Sequence, residues 1–550
     1  MTRILSAADT ALLVEAADLQ EAMRLLPALR EARLPGVTEL VPAARTVLVR
    51  FDPLSIDAAA LAALVGAVEP AVAPAASGEV ATIPVRYDGQ DLAEVAALLD
   101  VSPAEVVARH AAATWTVAFT GYAPGFAYLV GDDPLFDVPR RRSPRTRIPA
   151  GSVGLAGRFS GVYPRESPGG WQLIGRTDAP LWDLARPQPA LLAPGATVRF
   201  ERVERELVDL PPVAPRARQP VVDAHALEVV RPGMQLLVQD LGRPGLAAQG
   251  VGASGTADRA ALREANRAVG NAPGEAGLEL GGGGAVLRFR GPAVVALTGA
   301  LVDASLQGAA GGPAVDAARI DAAGIDPVPV EHGHAVAVDD GDELRIGAVR
   351  DGVRAVLAVR GGFALEPVLG SLATDTLAHL GPSPLAAGDV LPLRGPAAGI
   401  AAVERTRAPR IPLPRAGEEV ELDIVLGPRT AWFTDAALRA LTEQPWTVTA
   451  RADRVGARLE GATPLDRALD GELDSEGAVT GAIQVPPDGQ PVLFLPDRPL
   501  TGGYPVIAAV VDRHLDLAGQ LPPGARIRFR VADAAPIDRT PTGGTPWRRS

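Results

Sequence analysis

From residue 3 to about 88, short apolar runs of β type (LVEA, GVTELVP, TVLVRFD, EVATIPVRYD) alternate with two stretches of helical period. The first helical stretch, residues 19–30, sets Leu19, Ala22, Met23, Leu26 and Leu29 on one stripe; the second covers residues 58–68. That alternation predicts a small N-terminal α/β sandwich over residues 1–80. A helix is predicted at 91–99. Another starts at Ser102-Pro103-Ala104-Glu105, the S-x-x-E form in which serine and glutamate satisfy each other's free backbone N–H groups. From 115 to about 202, Gly and Pro cut the chain into short strands, the pattern of a barrel or sandwich spanning 81–206.

The segment LVDLPPVAPRARQ is rich in Pro and Arg and lacks periodicity, so residues 207–222 read as a linker. Strand-and-turn text resumes after it, with one clear helix at 257–269. A second Pro/Arg stretch near 405–415 divides this half into 223–404 and a β-barrel at 405–534, and residues 535–550 read as a disordered tail. A faint internal echo links the halves: GVYPRESPGGWQLIG at 161–175 orders its turns as do IQVPPDGQPVLFLPD and LTGGYP within 483–505. Two related barrels would produce it.

Length and composition narrow the function. At 550 residues the chain is no single small binding module. A net charge of −12 with no long basic run leaves no electrostatic footprint for nucleic acid or an anionic membrane surface. The longest apolar run, 58–68, is too short to cross a bilayer, and the first twenty residues carry acids where a signal peptide is apolar, so a cytoplasmic location is expected. Cysteine is absent, which removes disulfides, thiolate nucleophiles and Cys-type zinc sites. All 53 basic residues are Arg. Without Lys there is no GK[ST] phosphate loop, no Schiff base and no biotin attached to this chain.

Residue types suited to a site are densest at 119–177, where rings, arginines and glycines crowd together as walls, anion clamps and points of close backbone approach. His110, five residues before Trp115, could serve as a general base or orient a carbonyl near neutral pH, or simply face a helix C-terminus favourably. Gly250-Val251-Gly252-Ala253-Ser254-Gly255 has the G-x-G-x-x-G spacing but lacks the surrounding β-α-β unit, so a dinucleotide site is not expected; a Gly-rich turn before a helix can still receive an anion. His332 and His334 would share a strand face, but no third ligand stands nearby and no metal site is assigned. Gln239/Asp240/Arg243, Asp453/Arg454, Ser475/Glu476 and Asp497/Arg498 also read as turn caps and ion pairs.

GYAPGFAYL, PRRRSPRTRIPAGSV and SPGGWQLIGRT resemble signatures of the Kip family, which comprises the B-type component of 5-oxoprolinase and allophanate hydrolase subunit 1; the resemblance covers about residues 3–205. QDLGRPG, SGTADRAALREANRAVGN, VLGSLATDT, DRVGARLEG, SEGAVTGAIQVPPDGQP and DRPLTGGYP resemble the C-type component of 5-oxoprolinase, the biotin-dependent carboxyltransferase family. The chain thus looks like a fusion of the two. Two positions depart from the pattern: Leu500 stands where the second family usually has Thr, and LAHLGPSPLAAGD lacks the usual GR before its L-x-x-GD. The resemblance implies a mainly β protein with cyclophilin-like β-barrels in both halves. It implies action on a small amide or lactam substrate, ATP shared with a partner, the A-type component of 5-oxoprolinase (LamB/YcsF family) as that partner, and possible homo-oligomers. Carried onto this sequence, it nominates His110, Arg145, Ser152, Tyr163, Asp240, Arg243 and Asp258 as catalytic. As substrate-binding it nominates Gly125, Phe126, Tyr128, Gly151, Gly169, Gly170 and Trp171 in the first half. In the second half it nominates Gln239, Asn266, Asp453, Arg454, Gln484, Asp497, Thr501, Gly502, Gly503 and Tyr504. The reaction expected is hydrolysis of 5-oxoproline to glutamate; the alternatives are the carboxyltransferase part of a urea- or amide-carboxylating system and a Kip-type inhibitor of a histidine kinase. 5-Oxoproline carries a carboxylate and urea does not, so a bidentate Arg, with Arg145, Arg147 and Arg243 as candidates, would favour the first.

Overall fold

The computed structural model describes residues 2–72, 80–141, 143–208, 225–308, 327–395, 403, 412–532 and 538–539. The N-terminal unit is an antiparallel sheet in the order Val37–Pro42, Thr46–Phe51, Ala11–Glu15, Arg3–Ala8. Its helices, Leu19–Ala32 and Ala58–Gly66, start where Asp18 and Asp57 accept the N–H of Glu21 and Ala60, 2.8 Å each. Leu12, Val14, Val47 and Val49 pack beneath these helices, while Leu5, Leu13 and Leu48 turn the other way onto Val479, Phe494 and Leu500 of the last barrel. Both faces are buried, which is why these strands read as unbroken apolar runs. Asp538–Arg539, within the tail expected to be disordered, instead pair with Ile4 and Leu5 as a fifth strand. Most of the expected linker and the remainder of that tail lie outside the described residues.

A seven-stranded sheet follows, with Val80–Val85 parallel to Thr197–Arg202 and a bridge between Arg86 and Arg176 joining its outer strands into a barrel. The last unit is a closed seven-stranded barrel in which Glu419–Leu426 runs parallel to Arg526–Val531. The two barrels share strand order and local detail. Trp115 Nε1 donates to His110 O at 3.0 Å, and Trp446 Nε1 to Leu441 O at 2.9 Å. The N–H of Gly89 bonds Ile174 O, as that of Gly427 bonds Ile507 O. Arg145 pairs with Gly169 in a two-stranded ladder beside the first barrel, and Glu476 with Gly502 beside the last. The repeat glimpsed in the sequence therefore aligns SPGGW at 167–171 with LTGGY at 500–504.

Between the barrels lies a nine-stranded sheet, Ala226–Pro232 to Val390–Pro392, crossed by the helix Arg259–Val269. That helix begins two residues later than the pattern placed it, because Asp258 caps it. The helices Asp435–Glu443 and Leu515–Gly519 were not expected; the second is only five residues long and the first stands beside aromatic strand-like text. Among the described residues no helix is long and apolar enough to cross a membrane.

Candidate functional site at the junction of the two halves

Gly121–Phe126 forms a turn that packs against the second half. Thr120 Oγ1 donates to Ala247 O at 2.9 Å and Gly125 N–H to Gln249 O at 3.1 Å. A Cβ on Gly250 would lie 2.7 Å from Ala123 O, and one on Gly121 would collide with Thr501 Oγ1. Glycine is required at both positions by the close approach of the two halves, not by a ligand. Gly125, expected to bind substrate, has its N–H committed to Gln249 O across that junction. Tyr122, in the same turn, holds φ 63, a strained setting for a bulky residue, and its hydroxyl donates to Pro168 O.

The rings expected to wall a cavity fill it instead. Phe126, Tyr128, Tyr163 and Trp171 are all under a tenth exposed and meet edge-to-face with centroids 5.1–6.4 Å apart. Burial holds the Tyr163 phenol far above its ordinary range and pushes that of Tyr128 up to about 12. A phenol so raised is not a ready base, which argues against the catalytic role expected for Tyr163. Gly169 exists to admit that phenol: its Cβ would lie 2.5 Å from Tyr163 Oη. Gly151 sits at φ 79 and its N–H is taken by Tyr163 O. Gly170 O accepts the N–H of Arg141 at 2.8 Å, and a Cβ on Gly170 would meet only ordinary contacts, with Arg141 O and Pro144 at 3.8 Å.

The structure places His110 in the interior. It is fully enclosed in the first barrel among Trp115, Phe136 and Phe200, with Nδ1 2.8 Å from Tyr87 Oη and Nε2 2.9 Å from Ser160 Oγ. Desolvation pushes its pKa down to about 3, so the imidazole is neutral near pH 7. Ser152 spends its hydroxyl on Pro149 O at 2.8 Å. Arg145 is held by Asp91 at 2.7 Å, which Arg141 shares at 3.0 Å; Arg147 is exposed and paired with Glu166. At the equivalent place in the last barrel the charges are exchanged: Arg429 takes the position of Asp91 and Glu476 that of Arg145, with Nε–Oε1 2.9 Å. The same strut is built with reversed sign, so Arg145 is a structural cation, not a free anion clamp.

The motif acids of the second half converge on one buried network. Asp497 accepts from Ser254 Oγ at 2.6 Å, from the N–H and Oγ1 of Thr376 at 2.9 and 2.7 Å, and from Arg454 Nε at 2.9 Å. Arg454 also binds Glu279 and Gly255 O, and Glu279 in turn accepts the N–H of Ala257 at 2.8 Å. Gln520 ties Asp258 Oδ2, at 2.7 Å, to the backbone of Arg354. These bonds weld the nine-stranded sheet to the last barrel. Asp258, expected to be catalytic, is the cap of its helix, and desolvation raises its pKa to about 6. Asp240 accepts from Gly242 N, Ser371 Oγ and Leu372 N at 2.6–2.8 Å and so closes a loop. Asp453 likewise caps the turn at Val455 and Gly456. Asn266 bonds Glu275 O and Asn271, and Gln239 donates to Thr374 O. Gln484 donates to Tyr504 O at 3.1 Å and lies where a side chain on Gly502 would stand; the Tyr504 ring, 45% exposed, receives Arg467 at 5.9 Å. A Cβ on Gly503 would meet only Leu473 O, at 3.4 Å.

Unsatisfied groups stand out against this background. Thr501 Oγ1 is buried against Gly121 with no partner. Arg243 is buried and bonds only the carbonyls of Val368 and Ala373, leaving Nη1 without an acceptor. Arg165 Nη1 and Arg498 Nε are orphaned in the same way; Arg498 was read from the sequence with Asp497 as a turn cap or ion pair, and Arg165 was not singled out. Both lie within quoted motifs, GVYPRESPGGW and DRPLTGGYP, each four residues before a Gly-Gly pair. That equal spacing was the available signal.

The chain is of carboxyltransferase type, with two barrels that repeat one strand order and carry matched Gly-Gly turns beside them. The chain belongs to the carboxyltransferase-domain family: residues 249–531 match its subdomains A and B, and residues 2–192 its subdomains C and D. Its second half is 32% identical over 306 residues to the C-type 5-oxoprolinase component of Escherichia coli K12, covering 90% of that protein. Its first half is 42% identical over 172 residues to the B-type 5-oxoprolinase component of Escherichia coli O157:H7, covering 78% of it. The crystal structure of TTHA0988 superposes over 94% of this chain and 99% of its own, with TM-score 0.78 and 34% identity. A urea amidolyase of Lachancea kluyveri is 30% identical over 55% of this chain but only 17% of its own length.

Proposed function

We propose that the chain is the B–C fusion component of an ATP-dependent 5-oxoprolinase, opening 5-oxo-L-proline to L-glutamate in the cytoplasm with a separate A-type component of the LamB/YcsF family. The observation that carries this reading is coverage: the halves are similar, in order and without overlap, to the B- and C-type components of such enzymes. Contacts such as Thr120 to Ala247 and Gly125 to Gln249 support a single working unit. A lactam carbonyl resists attack because amide resonance stabilises it. The catalyst must therefore place donors where negative charge develops on oxygen, each worth about 3–4 kcal/mol. Orphaned guanidinium N–H groups suit that demand and equally suit a carboxylate or a phosphoryl group of ATP. The test is glutamate release from 5-oxoproline with ATP, with the A-type partner present and then omitted. Release that needs both proteins is the expected result; no release from a folded preparation rejects the reading. The similarity of the second half to urea amidolyases favours the alternative, carboxyl transfer to urea from biotin carried on another chain, and carboxybiotin-dependent urea carboxylation is its assay.

A further inference from the structure

Buried cations are retained in proteins when something pairs them, because an unpaired guanidinium loses its hydration without compensation. Most arginines of the core obey this: Arg454 lies between Glu279 and Asp497, and Arg429 faces Glu476. Arg165, Arg243 and Arg498 do not. Among the described residues none of the three has a carboxylate in ion-pair range, and each bonds only backbone carbonyls: Leu377 for Arg165, Val368 and Ala373 for Arg243, Pro499 for Arg498. Arg243 and Arg498 are 3% and 5% exposed, and each of the three keeps a buried N–H atom without an acceptor.

The three cations border one loop: Arg165 bonds Leu377 O, Arg243 bonds Ala373 O, and Asp497, the residue before Arg498, accepts the N–H of Thr376, with Asp375 in the middle of that loop. That carboxylate is engaged by the N–H groups of Leu377 and Ala378 at 3.0 and 2.7 Å. Nearby Asp497 is committed to Arg454, and Glu39, beside Arg498, to Arg50 and the Gly245 N–H. Three cations thus border a loop whose one acid, Asp375, is already hydrogen-bonded to backbone. Their origin also points to a purpose. Arg165 and Arg498 hold the same position in the two related barrels, four residues before Gly169 and Gly502, and the fold of the halves on one another brings both to the loop that holds Asp375.

We propose that Arg165, Arg243 and Arg498 form a binding site for a small oxyanion, carboxylate or phosphoryl, assembled jointly by the two halves of the chain. The site rests on the oxoprolinase reading only for the identity of its ligand, which there is the carboxylate of 5-oxoproline or a phosphoryl group of ATP. Neither half alone carries the full set.

Calorimetric titration of the full chain at low salt with inorganic phosphate, 5-oxo-L-proline and uncharged 2-pyrrolidone tests it. Binding of phosphate or of 5-oxo-L-proline is expected, with Arg165→Gln and Arg498→Gln each weakening it by about 10- to 100-fold, the worth of one charge-assisted hydrogen bond. Binding of 2-pyrrolidone, where present, is unchanged in both variants. Tightest binding by 5-oxo-L-proline marks a carboxylate site and tightest binding by phosphate a phosphoryl site. Arg165 is only half-buried, so its variant folds even where Arg498→Gln does not; circular dichroism checks both. The proposal is overturned if neither anion binds at millimolar concentration, or if folded Arg165→Gln binds as the parent does. Arginine-dependent phosphate binding without glutamate release would reject the oxoprolinase reading and leave the site standing.

Discussion

Replacing Arg454 by Met removes one cation from between two carboxylates, Glu279 and Asp497, that are 2% and 1% exposed. Breaking one buried pair by deleting a partner costs about 3–5 kcal/mol. The two losses do not simply add. Glu279 keeps Arg354 at 3.7 Å and the Ala257 N–H, while Asp497 keeps Ser254 and Thr376. A cost of about 4 kcal/mol follows, a large part of the ~5–15 kcal/mol that holds a typical domain. At ~2–4 °C per kcal/mol for a unit of 150–250 residues, the melting temperature of the second half drops by roughly 8–16 °C. Calorimetry with denaturant titration reads this directly. The sharper test is the triple variant Arg454→Met, Glu279→Gln, Asp497→Asn. With the stranded charges gone it should melt above Arg454→Met, although it carries more changes. A single variant within about 1 °C of the parent, or a triple variant that melts lower still, refutes the account of this network.

His110→Leu, which installs the residue found at the matching place in the last barrel, leaves Tyr87 and Ser160 without partners and costs about 2–4 kcal/mol. Because the imidazole is already neutral across the working range, the pH profile of glutamate release keeps its shape; loss of a limb near pH 6–7 would restore a catalytic His110. Asp258 has a folded pKa of about 6 against an ordinary 3.8, so the stability it contributes is complete below about 3.8 and is lost as pH rises through 6. Relative to Asp258→Asn, the parent therefore loses about 2 kcal/mol of stability between pH 4 and 6, read by denaturant titration at each pH, and parallel curves would contradict this. Gly250→Ala places a Cβ 2.7 Å from Ala123 O at φ 75, which costs about 1–3 kcal/mol and loosens the contact between halves; an unchanged unfolding profile would show that the junction yields freely.

The order of the parts was already written in the amino-acid chain. Helices at Leu19–Ala32, Ala58–Gly66 and Pro103–Ala112 were legible because stripe and cap are local, and Asp18, Asp57 and Ser102 cap as their spacing requires. The barrels were legible as Gly/Pro-punctuated strands, and the family through motifs held in line along the chain. Which motif residues face a ligand was not legible, because a glycine, ring or acid needed for packing leaves the same letter as one needed for chemistry. Gly121 and Gly250 serve the approach of two halves, Tyr163 and Trp171 fill a core, and Asp240 and Asp453 close turns. It took the folded arrangement to separate Arg145, matched by Asp91, from Arg165, Arg243 and Arg498, which no carboxylate pairs. The physical reason is that pairing is a property of three-dimensional distance: residues some 330 positions apart come to the one loop around Asp375 only after two repeated barrels have closed on one another.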